Sequence, residues 1–358
     1  MALQQVIAQQ GRPWDIRMVN LQERLDTLDV LRRITGIRLQ DGYNLLLKRG
    51  WTLGSGQLLK VLHITIRLFQ TSLVQMLRDF WHASRPDMVV SLIPNFNRAL
   101  KLSLEAALPG TPLVTILTDI ADYPPHFWIE RQSQYLICGS ERAVAQARAL
   151  GHSDPFVLRT SGMILNPRFY EPINADRAAE RQRLGLDPRW PTGLVLFGGE
   201  GSAVMLEIAR RLEAAARPLQ LILICGRNQN LTAALRAMPS RMPMFVEGFT
   251  REVPYYMHLS DFFIGKPGPA SISEAIALKL PVIVERNAWT LPQERYNCEW
   301  LLKQDIGLVL PNFRGIAAAA TRLLEPATYA RMRANAAAQS NRAVFEIPDM
   351  LATILSRG

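Results

Sequence analysis

Cysteine is scarce in this sequence. Only Cys138, Cys225 and Cys298 occur in 358 residues. They are far apart and in no metal-ligand or redox spacing, which excludes a disulfide framework and points to a reducing, cytoplasmic interior. Long hydrophobic runs are missing too. No stretch of about 18 uncharged apolar residues occurs, which excludes a simple bilayer-spanning helix. The nearest approach, GQLLKVLHITIRLFQTSLVQML (56–77), is interrupted by Lys60, His63, Arg67 and Gln70. The opening MALQQVIAQQGR has no charged segment followed by an apolar block, so no secretory leader is expected. Helix-turn-helix, zinc and single-strand-binding signatures are all absent, which argues against a nucleic-acid partner. There is no short repeat and no low-complexity tract.

Acidic residues are also in deficit: 31 against 41 Lys and Arg, a net charge of +10. The imbalance is local. Residues 32–85 hold nine Lys or Arg against Asp41 and Asp79. Such a surface attracts nucleic acid, anionic lipid or an anionic substrate, or is simply a solvated face. The hydrophobic fraction, 48%, suffices for one large or two ordinary domains.

The spacing predicts an opening helix over ALQQVIAQQ, a strand over DIRMVNL (15–21), and mostly helix over 22–85. After that, short apolar runs alternate with helical patterns: strands at 87–93, 112–119, 134–140 and 156–162, then at 194–202, 219–227, 244–249, 261–268, 281–286 and 305–310. Near-continuous apolar strands alternating with helices predict an α/β chain of parallel sheets with helices on both faces. PINADRAAERQRLGLDPRWPTG (172–193) is polar and Pro-rich, which places the linker near its start. Two Rossmann-like domains facing a cleft are expected, over 1–170 and 171–340, with a C-terminal helix at 341–358 packing back on the first.

Three loops carry candidate chemistry. FGGEGS (197–202) follows a strand and opens a helix, placing Gly199 and Ser202 where backbone amides attract anions. It lacks the full GxGxxG spacing and the distant acid of a dinucleotide site, so a tight turn is equally open. GKPGPASISEA (265–275) joins stiff prolines to permissive glycines, and Gly268, Pro269, Ala270 and Ser271 would lead a helix whose first turn offers amides and hydroxyls to a phosphate. Glu274 lies one turn in, suited to ribose hydroxyls or merely to the helix dipole. PQERYN (292–297) reads as a loop in which Gln293, Glu294 and Asn297 offer paired donors and acceptors for sugar hydroxyls, or a polar surface.

Together "CGRN", "EGFTREVPYYM", "GKPGPASISEAIALKLPVIVE" and "PQERYN" resemble the donor domain of UDP-sugar glycosyltransferases. The likeness is to monogalactosyldiacylglycerol synthases and bacterial processive diacylglycerol glucosyltransferases, and more distantly to the N-acetylglucosaminyltransferase that makes lipid II. It implies the GT-B architecture and an inverting transfer of galactose or glucose from a UDP-hexose to a lipid acceptor, diacylglycerol foremost. UDP-sugar would be a co-substrate, with no cofactor and no metal. The loop from Gly265 to Ser271 would hold the diphosphate, Glu274 the ribose, Gln293 and Glu294 the sugar, and Arg227 and Phe249 the uracil.

In the first half, LTDIADYPPHFW resembles the family's Thr-Asp segment followed by His-Pro-x-Trp, although His126 here follows the prolines. Asp119 and His126 are the candidate catalytic residues, Asp119 as general base; a turn residue and a packing histidine are the alternatives. NLLLKRGW and the basic helices after it resemble an acceptor and membrane-docking region, which implies a cytoplasmic protein peripheral on the inner face of the cell membrane. His63 reads as a packed or snorkelling residue rather than a ligand, and Trp51, Trp81 and Trp128 as interfacial anchors or core. The family begins with a strand and a Gly-Gly-Gly-His loop. This sequence opens at the following helix, so its first domain is expected to lack that strand and loop through a start that falls short of the natural one. A nucleotide-sugar epimerase and a non-enzymatic UDP-sugar-binding homologue are the rival readings.

Overall fold

A computed structural model describes residues 1–21, 70–123 and 126–357. Most of the basic stretch, including NLLLKRGW, Trp51 and His63, lies outside them. The chain divides into two units, one of residues 1–160, 288–293 and 344–358, the other of 161–287 and 294–343.

The first unit contains α1 (Ala2–Gln9), α2 (Gln70–Ser84), β1 (Val89–Ser91), α3 (Asn97–Ala107), β2 (Leu113–Ile116), β3 (Tyr135–Cys138), α4 (Glu141–Ala149) and β4 (Val157–Arg159). Its strands pair in parallel in the order β1-β2-β3-β4. Helix α2 presents Leu73, Leu77 and Trp81 at four-residue spacing to Leu100 and Leu104 of α3, and the Trp81 indole donates to Ser103 Oγ at 2.9 Å. The C-terminal helix Ala343–Leu355 buries Val344, Ile347, Leu351 and Ile354, a single apolar stripe. Its Phe345 carbonyl accepts from Gln10, and its Asp349 pairs with Arg12.

The strand expected at 15–21 is not formed. Residues 12–20 are irregular, Met18 and Val19 are exposed, and no strand among the described residues pairs with them. An alternating apolar pattern forms no ladder where no strand lies beside it.

The second unit contains α5 (Arg177–Arg183), β5 (Thr192–Leu196), α6 (Val204–Ala214), β6 (Gln220–Ile224), α7 (Gln229–Arg236), β7 (Met244–Glu247), α8 (Val253–His258), β8 (Phe262–Gly265), α9 (Pro269–Ala277), β9 (Val282–Glu285), α10 (Arg295–Lys303), β10 (Gly307–Leu310), α11 (Ile316–Leu323) and α12 (Pro326–Ala338). The parallel sheet runs β10-β9-β8-β5-β6-β7. Both faces are buried, as the apolar strands require. Val195, Leu221, Leu223, Ile264 and Ile283 pack on one side, and Leu194, Ile222, Phe263, Val282 and Val284 on the other.

The polar segment 172–193, near whose start the linker is expected, belongs to this unit. Asp176 caps α5 by accepting from Ala178 and Ala179 N–H. Buried Arg181 donates to the Leu259 carbonyl and to Asp261. A buried guanidinium needs such partners, and here they fasten the polar stretch to the sheet.

Asn97, 1% exposed, ties the first unit together. Its Oδ1 accepts from Ser91 Oγ at 2.6 Å and Thr115 Oγ1 at 3.4 Å, and its Nδ2 donates to the carbonyls of Ile93 at 3.2 Å and Trp128 at 3.0 Å. Asn97→Ala strands several of these groups at once and is expected to cost about 3 kcal/mol. Urea unfolding followed through Trp fluorescence measures it; a loss below about 1 kcal/mol would contradict this role.

Candidate functional site

Strand order reverses between β5 and β8, the neighbours from which the second unit's sheet is wound in both directions. Open α/β sheets bind ligands beyond the strand C-termini at such a point. Leu196, the last residue of β5, is in register with Gly265, the last of β8. FGGEGS and GKPG therefore leave the sheet side by side.

The glycines have steric reasons to be there. A Cβ at Gly265 would sit 2.6 Å from the Leu196 carbonyl oxygen, and one at Gly226 would sit 2.2 Å from the Gly199 carbonyl oxygen. Gly226 also has φ +59°, unfavourable for any side chain. The loop after β6 thus lies directly on FGGEGS, and the Arg227 N–H donates to the Gly199 carbonyl at 2.8 Å.

The Arg227 guanidinium sits 4.7 Å from the centre of the Phe249 ring and 3.3 Å from Glu200 Oε1. Phe249 remains 55% exposed, so an aromatic face and a cation stand open together at this loop. Ser202 closes FGGEGS, its Oγ accepting from Val204 N–H at 3.4 Å.

Helix α9 starts at Pro269 with Gly268 as its N-cap, and no side chain among the described residues caps it. The first-turn amides, at Ala270 and Ser271, are thus left without a side-chain acceptor. Ser271 is buried in this turn rather than capping it. One turn in, burial pushes the Glu274 carboxyl up to about 7.

PQERYN is not a loop. A turn at Pro292–Glu294 leads into α10, where Cys298 and Leu301 bury at helical spacing. Asn297 therefore lies on a helix, fully buried, and its Nδ2 donates to the Pro267 carbonyl at 2.7 Å, holding the GKPG loop in place. Glu294, also buried, lies 3.2 Å from Lys266 Nζ. Gln293 falls with residues 288–293 in the first unit, and its Oε1 is buried with no hydrogen-bond partner among the described residues. The structure thus gathers Gly199, Ser202, Arg227 and Phe249 around one loop, and Gly268, Pro269, Ala270, Ser271, Glu274, Glu294 and Asn297 around its neighbour.

In the first unit, Asp119 Oδ2 accepts from the Trp128 indole at 2.8 Å. His126, at φ +57°, has Nδ1 3.0 Å from Glu130 Oε2, outside hydrogen-bond angles. Trp128 is core, 1% exposed, rather than an interfacial anchor, and Trp81 is buried as well. Asp122 accepts from Trp128 N–H at 2.7 Å, and burial raises its carboxyl to about 6. Asp122 and Lys266 both stood inside motifs that the sequence singled out. Neither could be assigned a role, because their partners lie 6 and 28 positions away.

No family model matches the chain. Its homologues are monogalactosyldiacylglycerol synthases. It is 29% identical over 251 residues to a probable monogalactosyldiacylglycerol synthase 3, chloroplastic, of Oryza sativa subsp. japonica, covering 68% of this chain and 48% of that protein. The chain thus spans about half the length of the curated relatives it matches. Among solved structures, an S. aureus MnaA–UDP co-structure superimposes with a TM-score of 0.59 at 16% identity, over 80% of this chain and 79% of that one. Acinetobacter baumannii MurG gives 0.56 at 13% identity, over 78% and 77%. The fold, two parallel α/β sheets with their helices, is that of the GT-B glycosyltransferases.

Glu274 offers a pH test. Its carboxyl moves from 4.5 to about 7 on folding, so the folded chain holds an extra proton between those values. The stability this contributes is complete below 4.5 and lost as pH rises through about 7. Glu274→Gln, neutral throughout, is expected to melt above wild type at about pH 8, with the advantage gone near pH 4.5. A gap of the same size at both pH values would contradict a buried, desolvated carboxylate.

Proposed function

We propose that this chain is an inverting glycosyltransferase that moves a hexose, galactose or glucose, from a UDP-sugar to a lipid hydroxyl, with diacylglycerol as acceptor. The observation that carries this reading is the pair of loops side by side at the switch point. One has uncapped helix amides for a diphosphate, with Glu274 one turn away. The other has Arg227 and Phe249 for the base. The names of the homologous synthases supply the acceptor class.

In the proposed reaction the Asp119 carboxylate takes the proton of the acceptor hydroxyl while its oxygen attacks the anomeric carbon. The anomeric C–O bond to phosphate breaks, and its electron pair leaves with UDP. The indole N–H of Trp128 holds the Asp119 carboxylate in one orientation. The α9 amides and the Gly268 turn stabilise the departing diphosphate electrostatically. Glu274, ionised above about pH 7, accepts from both ribose hydroxyls, and Glu294 and Gln293 accept from the sugar.

Among the described residues no helix is long and apolar enough to cross a membrane. The basic stretch 32–85 would hold the protein on the inner face of the cell membrane by attraction to anionic lipid.

Transfer is measured by mass-resolved lipid products after incubation with UDP-galactose or UDP-glucose and vesicles of diacylglycerol with anionic phospholipid. A β-linked monohexosyl lipid is expected, with kcat/KM lowered at least about tenfold in Glu274→Ala. Conversion of free UDP-N-acetylglucosamine without lipid would establish the epimerase instead. Nucleotide binding without either reaction would leave a UDP-sugar-binding module.

A further inference from the structure

The segment that follows β2 holds a residue in a conformation that side chains seldom take. His126 has φ +57°, a backbone region that persists only where the surroundings impose it. Here they do so from both sides. Asp122 accepts from the Trp128 N–H at 2.7 Å, and the Asp122 peptide is bonded to the Gln146 side chain through both its N–H and its carbonyl, each at 2.9 Å. The Phe127 carbonyl accepts from the Asn95 N–H at 2.6 Å, and the Glu130 carbonyl lies 2.8 Å from His152 Nε2. The backbone on either side of His126 is thus fixed by its neighbours.

The fixed backbone brings an imidazole to a carboxylate. His126 Nδ1 lies 3.0 Å from Glu130 Oε2. That nitrogen is buried, yet the His126 side chain is 29% exposed, so the ring meets solvent through its other atoms. The Glu130 side chain is only 11% exposed. A solvated surface pair gains little from such an approach, whereas a carboxylate withdrawn from water gains more. The contact is misaligned for a hydrogen bond, and a small turn of the ring aligns it. A carboxylate beside one ring nitrogen keeps the proton of the neutral imidazole there and leaves the lone pair on the other.

We infer that Glu130 is a positioning residue for His126, keeping the ring proton on Nδ1 so that Nε2 takes up the proton removed from the acceptor hydroxyl. This rests on the transfer reading above and adds the proton's destination, which that reading leaves open. Carboxylates ordinarily do not keep a proton near neutral pH, whereas an imidazole readily exchanges one there. The electron pair of the acceptor O–H bond forms the new bond to the anomeric carbon. The proton goes to Asp119, on to His126 Nε2 and then to water, and UDP leaves with the electrons of the broken bond. Asp119 and His126 both follow the C-terminal end of β2, the side on which parallel sheets bind ligands. Trp128, bonded to Asp119 through its indole, comes two residues after His126.

Two measurements on the whole chain test this. Long-range proton–nitrogen NMR spectra of the imidazoles, with His126→Gln to assign the ring, read the tautomer without any activity. Nδ1 is expected to carry the proton of the neutral ring in wild type, and Glu130→Gln to shift that proton toward Nε2. Transfer kinetics read the consequence. Glu130→Gln is expected to lower kcat at least about tenfold and to change KM no more than about twofold, and Glu130→Asp, which keeps the charge, to regain most of the loss. In a His126→Gln background, Glu130→Gln costs no more than about a further twofold, because Glu130 acts through the ring. A merely structural pair gives losses that multiply in the double variant and a tautomer that Glu130→Gln leaves unchanged, and that result overturns the inference. A wild-type ring protonated on Nε2 overturns the positioning directly. A folded wild type that binds UDP but forms no glycosyl lipid overturns the transfer reading together with the proton-acceptor role, and the spectra then decide the positioning alone.

Discussion

The second unit depends on backbone lying directly on backbone at the point where its sheet reverses direction. Gly226 faces the Gly199 carbonyl and Gly265 faces that of Leu196, each at a separation that would put a Cβ well inside van der Waals contact distance of the oxygen. Because no side chain intervenes, the loops after β5, β6 and β8 sit closely enough to serve one ligand. The Arg227 N–H bond to Gly199 fixes their relative height. The apolar strands below bring the loops to this place, but the glycines decide how near they come.

Around this contact the unit concentrates charge that would otherwise be costly. Glu274 and Glu294 are carboxylates in partly dehydrated surroundings, and the two are treated differently. Glu294 is given an ammonium, while Glu274 is left with burial alone, which raises it to about 7. A carboxyl poised in that way gains most from a ligand that donates to it, as a ribose diol does. Asn297 secures the GKPG loop through the Pro267 carbonyl, so the turn that opens α9 is pinned by a buried side chain.

Much of this was legible in the sequence because parallel strands buried on both faces read as plain apolar runs. Those of β5, β6, β8 and β9 were visible for that reason, and their glycine-rich exits identified the loops. The strand expected at 15–21 failed because alternation reports only a capacity to pair. PQERYN reads as a loop in the sequence because its polar residues conceal the burial of Cys298 and Leu301 further along the same helix. The roles of Lys266, Asp122 and Asn97 depend on partners brought close only by folding. Asn97 and Trp128, for instance, are 31 positions apart, and no local pattern encodes their bond.

The most direct measurement is hydrogen–deuterium exchange of the whole chain with and without UDP, read by mass spectrometry on the peptides spanning 265–277 and 197–203. If the paired loops form a diphosphate cradle, UDP slows exchange of the first-turn amides of α9 and of FGGEGS together, while the peptides of β7 and α12 are unchanged. Unaltered exchange at 265–277 under saturating UDP would show that GKPGPASISEA is only a strand-to-helix turn in this protein.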